Sequence, residues 1–149
     1  MTKGSTEHTR HFSTAGKIAL AGIGVALIIV LARYSPPPEL YTKAGIHLAT
    51  VSAWSKDVRA DNVTLIDLRT PEEFKEGHIA GATLIDATAP DFTTRIAALP
   101  KDGYYFVYCR SGNRSRTAVN EMRALGFQNI VELEGGTNAW TNSGKTLVR

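Results

Sequence analysis

The sequence predicts an α/β protein in which helices cover both faces of a mainly parallel sheet. Two observations indicate this class. Short runs of β-branched and aromatic residues follow the pattern of buried strands, and stretches that fit helices lie between them along the chain. The length of 149 residues, with 43% apolar and 21% charged residues, is typical of one globular domain with a hydrophobic core.

The chain begins with a basic region over residues 1–17, which is followed by a hydrophobic segment at 18–33. Residues 18–32 contain no charged or strongly polar side chain, and Lys17 and Arg33 bracket them. This pattern predicts a membrane-directed hydrophobic helix. As a helix, these residues reach only about 22 Å across a hydrocarbon core of roughly 30 Å, and the apolar regions of signal peptides have a similar length.

We expect an uncleaved single-pass anchor rather than a removed signal peptide. The apolar stretch runs directly up to Ala32 and leaves no polar region before a cleavage site. A buried core helix is the third interpretation, and no polar face supports it. Basic residues slightly favour a cytoplasmic N-terminus, which places the folded domain on the extracytoplasmic side. If the segment is cleaved, the alternative is a secreted or periplasmic domain.

Residues 34–44 form the predicted linker, since three consecutive prolines from Pro36 to Pro38 favour an extended, semi-rigid chain. The folded domain then spans residues 45–149. Its predicted strands are, in order, Val63–Leu68, Thr83–Ile85, Tyr104–Tyr108 and Ile130–Leu133. Its predicted helices are Ser52–Val58, Pro71–Glu76, Phe92–Ala98, Ser115–Leu125 and Thr137–Asn142.

The charge distribution argues against a nucleic-acid-binding domain. The net charge is +3, but residues 1–44 hold five Lys and Arg against two Asp and Glu, whereas residues 45–149 hold twelve of each kind. The folded domain is therefore neutral as a whole and has no basic stripe. The single cysteine excludes an intramolecular disulfide. It shows no metal-ligand spacing with the four histidines, so we expect no metal and no other cofactor.

The only cysteine, Cys109, lies between the third predicted strand and the helix that begins near Ser115. A glycine-containing turn into a helix leaves several backbone N–H groups without partners, and such a turn holds an anion. The N-terminal charge of the helix, together with Arg110, Arg114 and Arg116, favours a thiolate over a thiol. We therefore predict an activated sulfur nucleophile. The alternative is a cysteine that packs at a strand end as a small hydrophobic residue.

Three sequence blocks follow one another in the domain. They are residues 63–82, which contain Asp67, Arg69 and His78; the Cys-x-x-Gly-x-Arg turn from Cys109; and residues 134–140, which contain a Gly-Gly pair and Trp140. Together they closely resemble the rhodanese domain of sulfurtransferases, over roughly residues 45–149. Ala80 departs from the family, which commonly has proline there, and residues 46–62 match poorly. The resemblance implies a three-layer α/β sandwich around a five-stranded parallel sheet, with the cysteine at the carboxyl end of a strand.

The resemblance also implies a function and roles for individual residues. Cys109 is then the residue that becomes a persulfide, and its partners are a small anionic sulfur donor such as thiosulfate and a thiol or cyanide acceptor. The implied substrate-binding turn consists of Arg110, Ser111, Gly112, Asn113, Arg114 and Ser115. Arg114 is the candidate for helping the leaving group, and Arg110 for selecting an anionic donor. The alternative for each arginine is a solvated charge that contributes little, and Arg116 is expected on the helix surface.

Other polar residues have both a functional and a structural interpretation. Asp67 and Arg69 either line the pocket as a network or form an ion pair that fixes the loop after their strand. Ser115 either contributes its hydroxyl to the site or caps the helix. His78 is expected to secure a loop by hydrogen bonds rather than to act as a base, and Trp140 to pack in the core.

Two other functions are alternatives. Cysteine phosphatases and arsenate reductases also bind an oxyanion in a cysteine turn, but their turn is one residue longer than the four residues between Cys109 and Arg114. A rhodanese-like domain can also serve as a non-catalytic sulfur carrier or binding module. Such modules have usually lost the cysteine, which this chain retains.

Overall fold

The computed structural model of the chain describes residues 45–59 and 61–149. The predicted basic region, hydrophobic segment and linker lie outside these residues, and no helix in the described part is both long and apolar enough to cross a membrane. The described residues form the strands β1 (Gly45–Ala49), β2 (Val63–Asp67), β3 (Thr83–Leu84), β4 (Tyr104–Tyr108) and β5 (Asn129–Leu133). They also form the helices α1 (Val51–Asp57), α2 (Pro71–Glu76), α3 (Phe92–Ala97), α4 (Asn113–Ala124) and α5 (Gly136–Asn142).

The five strands make one sheet in the order β1-β5-β4-β2-β3, and all neighbouring strands run parallel. Apolar side chains of α3 and α4 pack on one face of the sheet, and those of α1 and α5 pack on the other. The predicted α/β class with a five-stranded parallel sheet between two helical layers is therefore confirmed. Each strand is joined to the next through a helix, as parallel strands require.

Strand β4 lies in the middle of the sheet and is buried on both faces. Its side chains alternate, so that Tyr105 and Val107 enter the core beneath α3 and α4, whereas Phe106 and Tyr108 enter the core beneath α1 and α5. This burial explains why β4 reads as a continuous apolar and aromatic run in the sequence. The carboxyl end of this rigid strand is a fixed position for the residue that follows it.

Trp140 packs in the core, as expected. It is 6% exposed, its ring meets the ring of Trp54 edge-on at a centroid distance of 5.8 Å, and its indole N–H donates to the Thr146 carbonyl. Trp54 of α1 is fully buried and also contacts the ring of Phe106. These aromatic contacts hold α5 against the sheet.

Strand β1 is the element that the residue pattern does not predict. It pairs with β5 from Gly45 opposite Asn129 to Ala49 opposite Leu133. As an edge strand, it is mostly half-buried, and Gly45 and His47 interrupt its apolar run. A short edge strand of this composition gives neither the continuous nor the alternating apolar pattern on which the prediction depends.

Several predicted boundaries are wrong by one or two residues. Helix α4 begins at Asn113 rather than Ser115, because Gly112 takes a left-handed conformation (φ +97°) that turns the chain into the helix early. The other shifts are by one residue: β2 ends at Asp67, β3 at Leu84, α3 at Ala97 and α4 at Ala124, while β5 begins at Asn129, α5 at Gly136, and α1 spans Val51–Asp57. Helix α2 has the predicted bounds.

Candidate active site

Cys109 directly follows β4, and the turn from Cys109 to Gly112 leads into α4. Ligand sites in parallel sheets lie at the carboxyl ends of the strands, where the turns into the helices meet. The cysteine itself is only 1% exposed. The turn therefore surrounds the sulfur atom closely instead of presenting it on the protein surface.

Hydrogen-bond donors of the turn converge on the sulfur. The Gly112 N–H donates to Sγ at 3.2 Å and the Ser115 N–H at 3.4 Å, while Ser115 Oγ lies 3.5 Å from Sγ. Burial acts to raise the pKa of the Cys109 thiol, but the Ser115 hydroxyl and the backbone N–H groups of the turn lower it. The net pKa lies below the ordinary value for cysteine, which favours the reactive thiolate.

The arginines are not among the largest causes of this lowered pKa. Arg110 and Arg116 are exposed. Arg114 forms a bidentate ion pair with Glu73 of α2, with contacts of 2.6 and 2.7 Å. The groups that lower the Cys109 pKa most are the hydrogen-bond donors of the turn. A sequence alone does not reveal this, since the direction of backbone N–H groups depends on the folded turn.

The pair of Arg114 with Glu73 nevertheless lies within electrostatic reach of the sulfur. The hydrogen bond from Arg114 is the largest effect that lowers the pKa of Glu73, to about 2. Glu73 in turn raises the pKa of Arg114, and the charge of Cys109 adds to that increase. Glu73 also accepts from the Thr70 N–H in the capping box of α2, so Arg114 ties the cysteine turn to the start of that helix.

Ser115 is not the N-cap of α4, which corrects one of its two interpretations. It is the third residue of the helix, fully buried, and the N-cap position belongs to Gly112. The Ser115 hydroxyl donates to Glu132 Oε1 at 2.6 Å and lies 3.1 Å from the Gly112 carbonyl oxygen. Glu132 of β5 is 6% exposed, and the sequence pattern does not identify it as a site residue. Its one signal in the sequence is a carboxylate among the apolar residues Ile130, Val131 and Leu133.

The N-terminus of α5 closes the site from the side. The Thr137 N–H donates to the Cys109 carbonyl at 2.9 Å, and the Asn138 N–H donates to the Arg110 carbonyl at 3.0 Å. A Cβ atom on Gly136 would lie 2.2 Å from the Cys109 carbonyl oxygen, so only glycine permits this approach. The Gly-Gly pair of the third sequence block therefore supports the cysteine turn through its backbone.

Asp67 and Arg69 form a buried ion pair at 2.6 Å. Arg69 also donates to the Gly77 carbonyl at 2.7 Å, and the Ile79 N–H donates to the hydroxyl of Tyr108. These contacts hold the segment that follows α2 against the ends of β2 and β4. They match the interpretation of an ion pair that fixes a loop.

His78 lies in the same segment and makes structural contacts. Its ring stacks on Phe74 at a centroid distance of 3.8 Å, and Nδ1 lies 3.2 Å from the Phe74 carbonyl oxygen. Its backbone forms a bridge with Val148 near the end of the chain. These contacts agree with the expected role of His78 in securing a loop.

The remaining predicted residues form the outer surface of the turn. Arg110, Ser111 and Asn113 are exposed. Asn113 and Arg114 also line a cavity of about 310 Å³. The other residues that line it are Thr117, Ala118 and Glu121 of α4, together with Ala87 and Phe92. Across residues 45–59 and 61–149, no group of three His, Cys, Asp or Glu side chains is arranged to hold a metal ion.

Comparison with known proteins gives consistent matches. A family model described as a rhodanese-like domain matches residues 50–143. The thiosulfate sulfurtransferase GlpE of Pseudomonas entomophila is 33% identical over 86 residues, which cover 58% of this chain and 77% of that protein. The probable adenylyltransferase/sulfurtransferase MoeZ of Mycobacterium tuberculosis is 38% identical over 78 residues, but these are 52% of this chain and only 20% of that protein. A crystal structure of a rhodanese-related protein from Thermoplasma volcanium is 30% identical, with a TM-score of 0.61, and the match covers 68% of this chain and 97% of that one.

Proposed function

Because this chain belongs to the family of rhodanese-like domains, we propose that it is a sulfurtransferase with Cys109 as its nucleophile. It moves a sulfane sulfur from thiosulfate or a similar anionic donor to a thiol or cyanide acceptor, through a persulfide on Cys109. The observation that carries the proposal is the pair of backbone N–H groups, from Gly112 and Ser115, that donate to Sγ. These donors stabilise a thiolate at a buried position where the cysteine would otherwise remain a neutral thiol.

The reaction requires two transfers at one sulfur atom. The Cys109 thiolate attacks the outer sulfur of thiosulfate, the bond between the two donor sulfurs breaks, and sulfite leaves with the electron pair. The terminal sulfur of the persulfide then carries the negative charge. An acceptor attacks this sulfur, and Cys109 leaves as a thiolate. Since the described chain has one cysteine, the acceptor comes from outside the protein.

The same N–H groups suit both stages of the reaction. The Gly112 and Ser115 N–H groups already donate to Sγ. In the persulfide, the negative charge moves outward by one sulfur atom but stays inside the turn. Preorganised backbone dipoles stabilise such a charge without rearrangement, as an oxyanion hole stabilises oxygen. Exposed Arg110 draws an anionic donor toward the turn.

The ion pair of Arg114 with Glu73 supports a limited role for Arg114. A carboxylate already compensates its charge, so it contributes less to the departure of sulfite than a free guanidinium would. Its position between the turn and the cavity allows it to contact a bound donor or acceptor. We propose that this cavity, with apolar walls from Ala87 and Phe92, receives the body of the acceptor thiol.

The two alternative functions have less support. A phosphatase or arsenate reductase needs a longer turn than the four residues between Cys109 and Arg114. A pure binding module has no need for a thiolate held by several donors, whereas Cys109 has them.

Intact mass spectrometry after incubation with thiosulfate tests the proposal directly. We expect one added sulfur atom, which is lost on addition of cyanide or a small thiol. Cys109→Ser is the control and should gain no mass. Phosphate release from an aryl phosphate without a mass increase would contradict the proposal and support the phosphatase. Unchanged partner binding and physiology in Cys109→Ser would support the binding module.

We also propose that residues 18–33 anchor the domain to a membrane, with the domain on the extracytoplasmic side. The apolar sequence between Lys17 and Arg33 supports the anchor. The intact mass of the purified protein shows whether residues 1–32 remain attached. A C-terminal alkaline phosphatase fusion should be active, and an inactive fusion would reverse the orientation.

A further inference from the structure

The cavity beside the cysteine turn follows one face of α4. Its lining residues on this helix beyond Asn113 are Arg114, Thr117, Ala118 and Glu121, whose spacing of three and four residues places them on the same side. Ala87 and Phe92 add an apolar wall. A volume of about 310 Å³, with apolar walls and few charged groups, is typical of a site for a small molecule.

The two charged lining residues mark the two ends of this helix face. Arg114 lies at the end near the sulfur, because the N–H of the next residue, Ser115, donates to Cys109 Sγ at 3.4 Å. Glu121 follows two turns later, about 10 Å further along the helix axis. A molecule whose reactive atom meets the sulfur near Arg114 therefore extends its other end toward Glu121.

The carboxylate of Glu121 is available to a ligand. Glu121 is half-buried and accepts a hydrogen bond from the Thr93 hydroxyl of α3. Within residues 45–59 and 61–149, no basic side chain forms an ion pair with it. The guanidinium of Arg95, also on α3, donates instead to the Leu84 carbonyl at 2.8 Å. The negative charge of Glu121 therefore has a neutral partner only.

Arg114 does not make the cavity positive. Its guanidinium is paired with Glu73. The hydrogen bond to Glu73 is the largest cause that raises the pKa of Arg114, and the charge of Asp86, which precedes the lining residue Ala87, adds to it. One cation is thus accompanied by three carboxylates, those of Glu73, Asp86 and Glu121. This balance attracts a positively charged group.

We propose that Glu121 is a specificity-determining residue and that the sulfur acceptor is an aminothiol, with its thiol at one end of an apolar chain and an ammonium group at the other. The ammonium group pairs with Glu121, the chain packs on Ala87 and Phe92, and the thiol reaches the persulfide of Cys109. This inference rests on the proposed function and names the class of acceptor for the same site.

The charge of the acceptor matters for the second transfer. The acceptor sulfur attacks the outer sulfur of the persulfide, the bond between the two sulfurs breaks, and Cys109 leaves as a thiolate with the electron pair. The acceptor carries the transferred sulfur away as its own persulfide. A negatively charged body would be repelled by the carboxylates around the cavity, whereas an ammonium group is attracted to them. The anionic donor has a different approach, since Arg110 is not among the residues that line the cavity.

The rate of sulfur removal by three acceptors tests the proposal. The full-length protein is loaded with thiosulfate and desalted, and intact mass follows the loss of the added sulfur. The acceptors are aminohexanethiol, hydroxyhexanethiol and mercaptohexanoate, which share the chain length and differ in the distal group. We expect aminohexanethiol to react about 2- to 5-fold faster than hydroxyhexanethiol and mercaptohexanoate to react slowest, with differences that diminish at high salt. Equal rates for the three acceptors would overturn the proposal.

Variants assign the preference to Glu121. Glu121→Gln should react with aminohexanethiol and hydroxyhexanethiol at similar rates, and Glu121→Lys should prefer mercaptohexanoate. Asp102→Asn is the matched control, because it also replaces an exposed carboxylate with an amide but lies before β4, at the opposite end of that strand from Cys109. It should retain the wild-type preference. A preference for aminohexanethiol that survives in Glu121→Gln would contradict the assignment.

The loading step separates this inference from the function on which it rests. A protein that gains no sulfur from thiosulfate would overturn both. A protein that gains sulfur and passes it equally well to all three acceptors would remain a sulfurtransferase and lose the aminothiol assignment. The acceptor series on the wild-type protein gives this answer even if a Glu121 variant fails to fold.

Discussion

The close approach of Gly136 to the cysteine turn leads to the sharpest mutational prediction. Replacing Gly136 with Ala places a Cβ atom 2.2 Å from the Cys109 carbonyl oxygen and 2.8 Å from the Arg110 carbonyl, distances at which real Cβ contacts essentially do not occur. All of these atoms belong to the backbone, so no side-chain rotation relieves the overlap. The N-terminus of α5 must therefore move away from the turn.

The size of the effect follows from the contacts that this movement breaks. Alanine in the left-handed conformation of residue 136 (φ +58°) costs about 1–2 kcal/mol. The hydrogen bonds from Thr137 and Asn138 to the turn contribute about 1 kcal/mol each. We therefore expect Gly136→Ala to lower the free energy of unfolding by about 3–4 kcal/mol.

Gly144→Ala is the matched control. Gly144 also has a left-handed conformation (φ +81°), but its added Cβ atom would meet nothing within 4 Å. It should therefore show the conformational cost alone, about 1–2 kcal/mol. Denaturant unfolding of both variants measures the difference, and intact mass after thiosulfate measures sulfur loading. Sulfur loading should fall in Gly136→Ala under conditions where it is folded, and remain normal in Gly144→Ala.

Equal losses of stability in the two alanine variants would refute the reasoning, because the backbone overlap would then contribute nothing. Normal sulfur loading in a destabilised Gly136→Ala variant would show that α5 does not hold the turn in its reactive geometry.

Three further predictions concern charged side chains around the site. The fold lowers the pKa of Glu73 from 4.5 to about 2, so the ionised carboxylate stabilises the folded state above pH 4.5, and this stabilisation is lost as the pH falls toward 2. In acid unfolding, the wild-type protein should lose about 1–2 kcal/mol in this way. Glu73→Gln should not show this loss, whereas the control Glu72→Gln, at an exposed position, should still show it. Asp67→Asn leaves buried Arg69 without its carboxylate and should cost about 3 kcal/mol in denaturant unfolding, whereas a loss below about 1 kcal/mol would contradict the importance of the pair. Arg110→Ala should lower kcat/KM for thiosulfate by about 2- to 10-fold at low salt without changing stability, and an effect that does not weaken with salt would contradict electrostatic attraction.

Most of the fold could be predicted because its signals are local. The strand β4 is recognisable as a continuous apolar run, and the capping residues Thr70 and Glu73 lie three positions apart at the start of α2. Strand β1 escapes prediction because its stability comes from pairing with β5, some eighty residues further along the chain. Its own five residues carry too little apolar pattern to indicate a strand.

The candidate site divides in the same way. The position of Cys109 in a glycine-containing turn before a helix is a local pattern, and its predicted nucleophilic role depends on that pattern. The partner of Arg114 is distant in the sequence. Glu73 lies on α2, which precedes β4 in the chain, whereas Arg114 lies on α4, which follows β4. For this reason, the sequence does not indicate that Arg114 is held in an ion pair.

The sequence by itself determined the α/β class, the order of most elements and the location of the cysteine turn, because periodicity and turn residues act between near neighbours in the chain. Only the tertiary structure decided which groups surround Cys109: the N–H groups of the turn and the Ser115 hydroxyl, with Glu132 behind it, at the sulfur, and the backbone of Gly136 at the carbonyl oxygen. These contacts join β4, β5 and α5, and their distances depend on how the sheet and helices pack. The physical reason is that directed hydrogen bonds and steric contacts act over a few ångströms in space, whatever the separation in sequence.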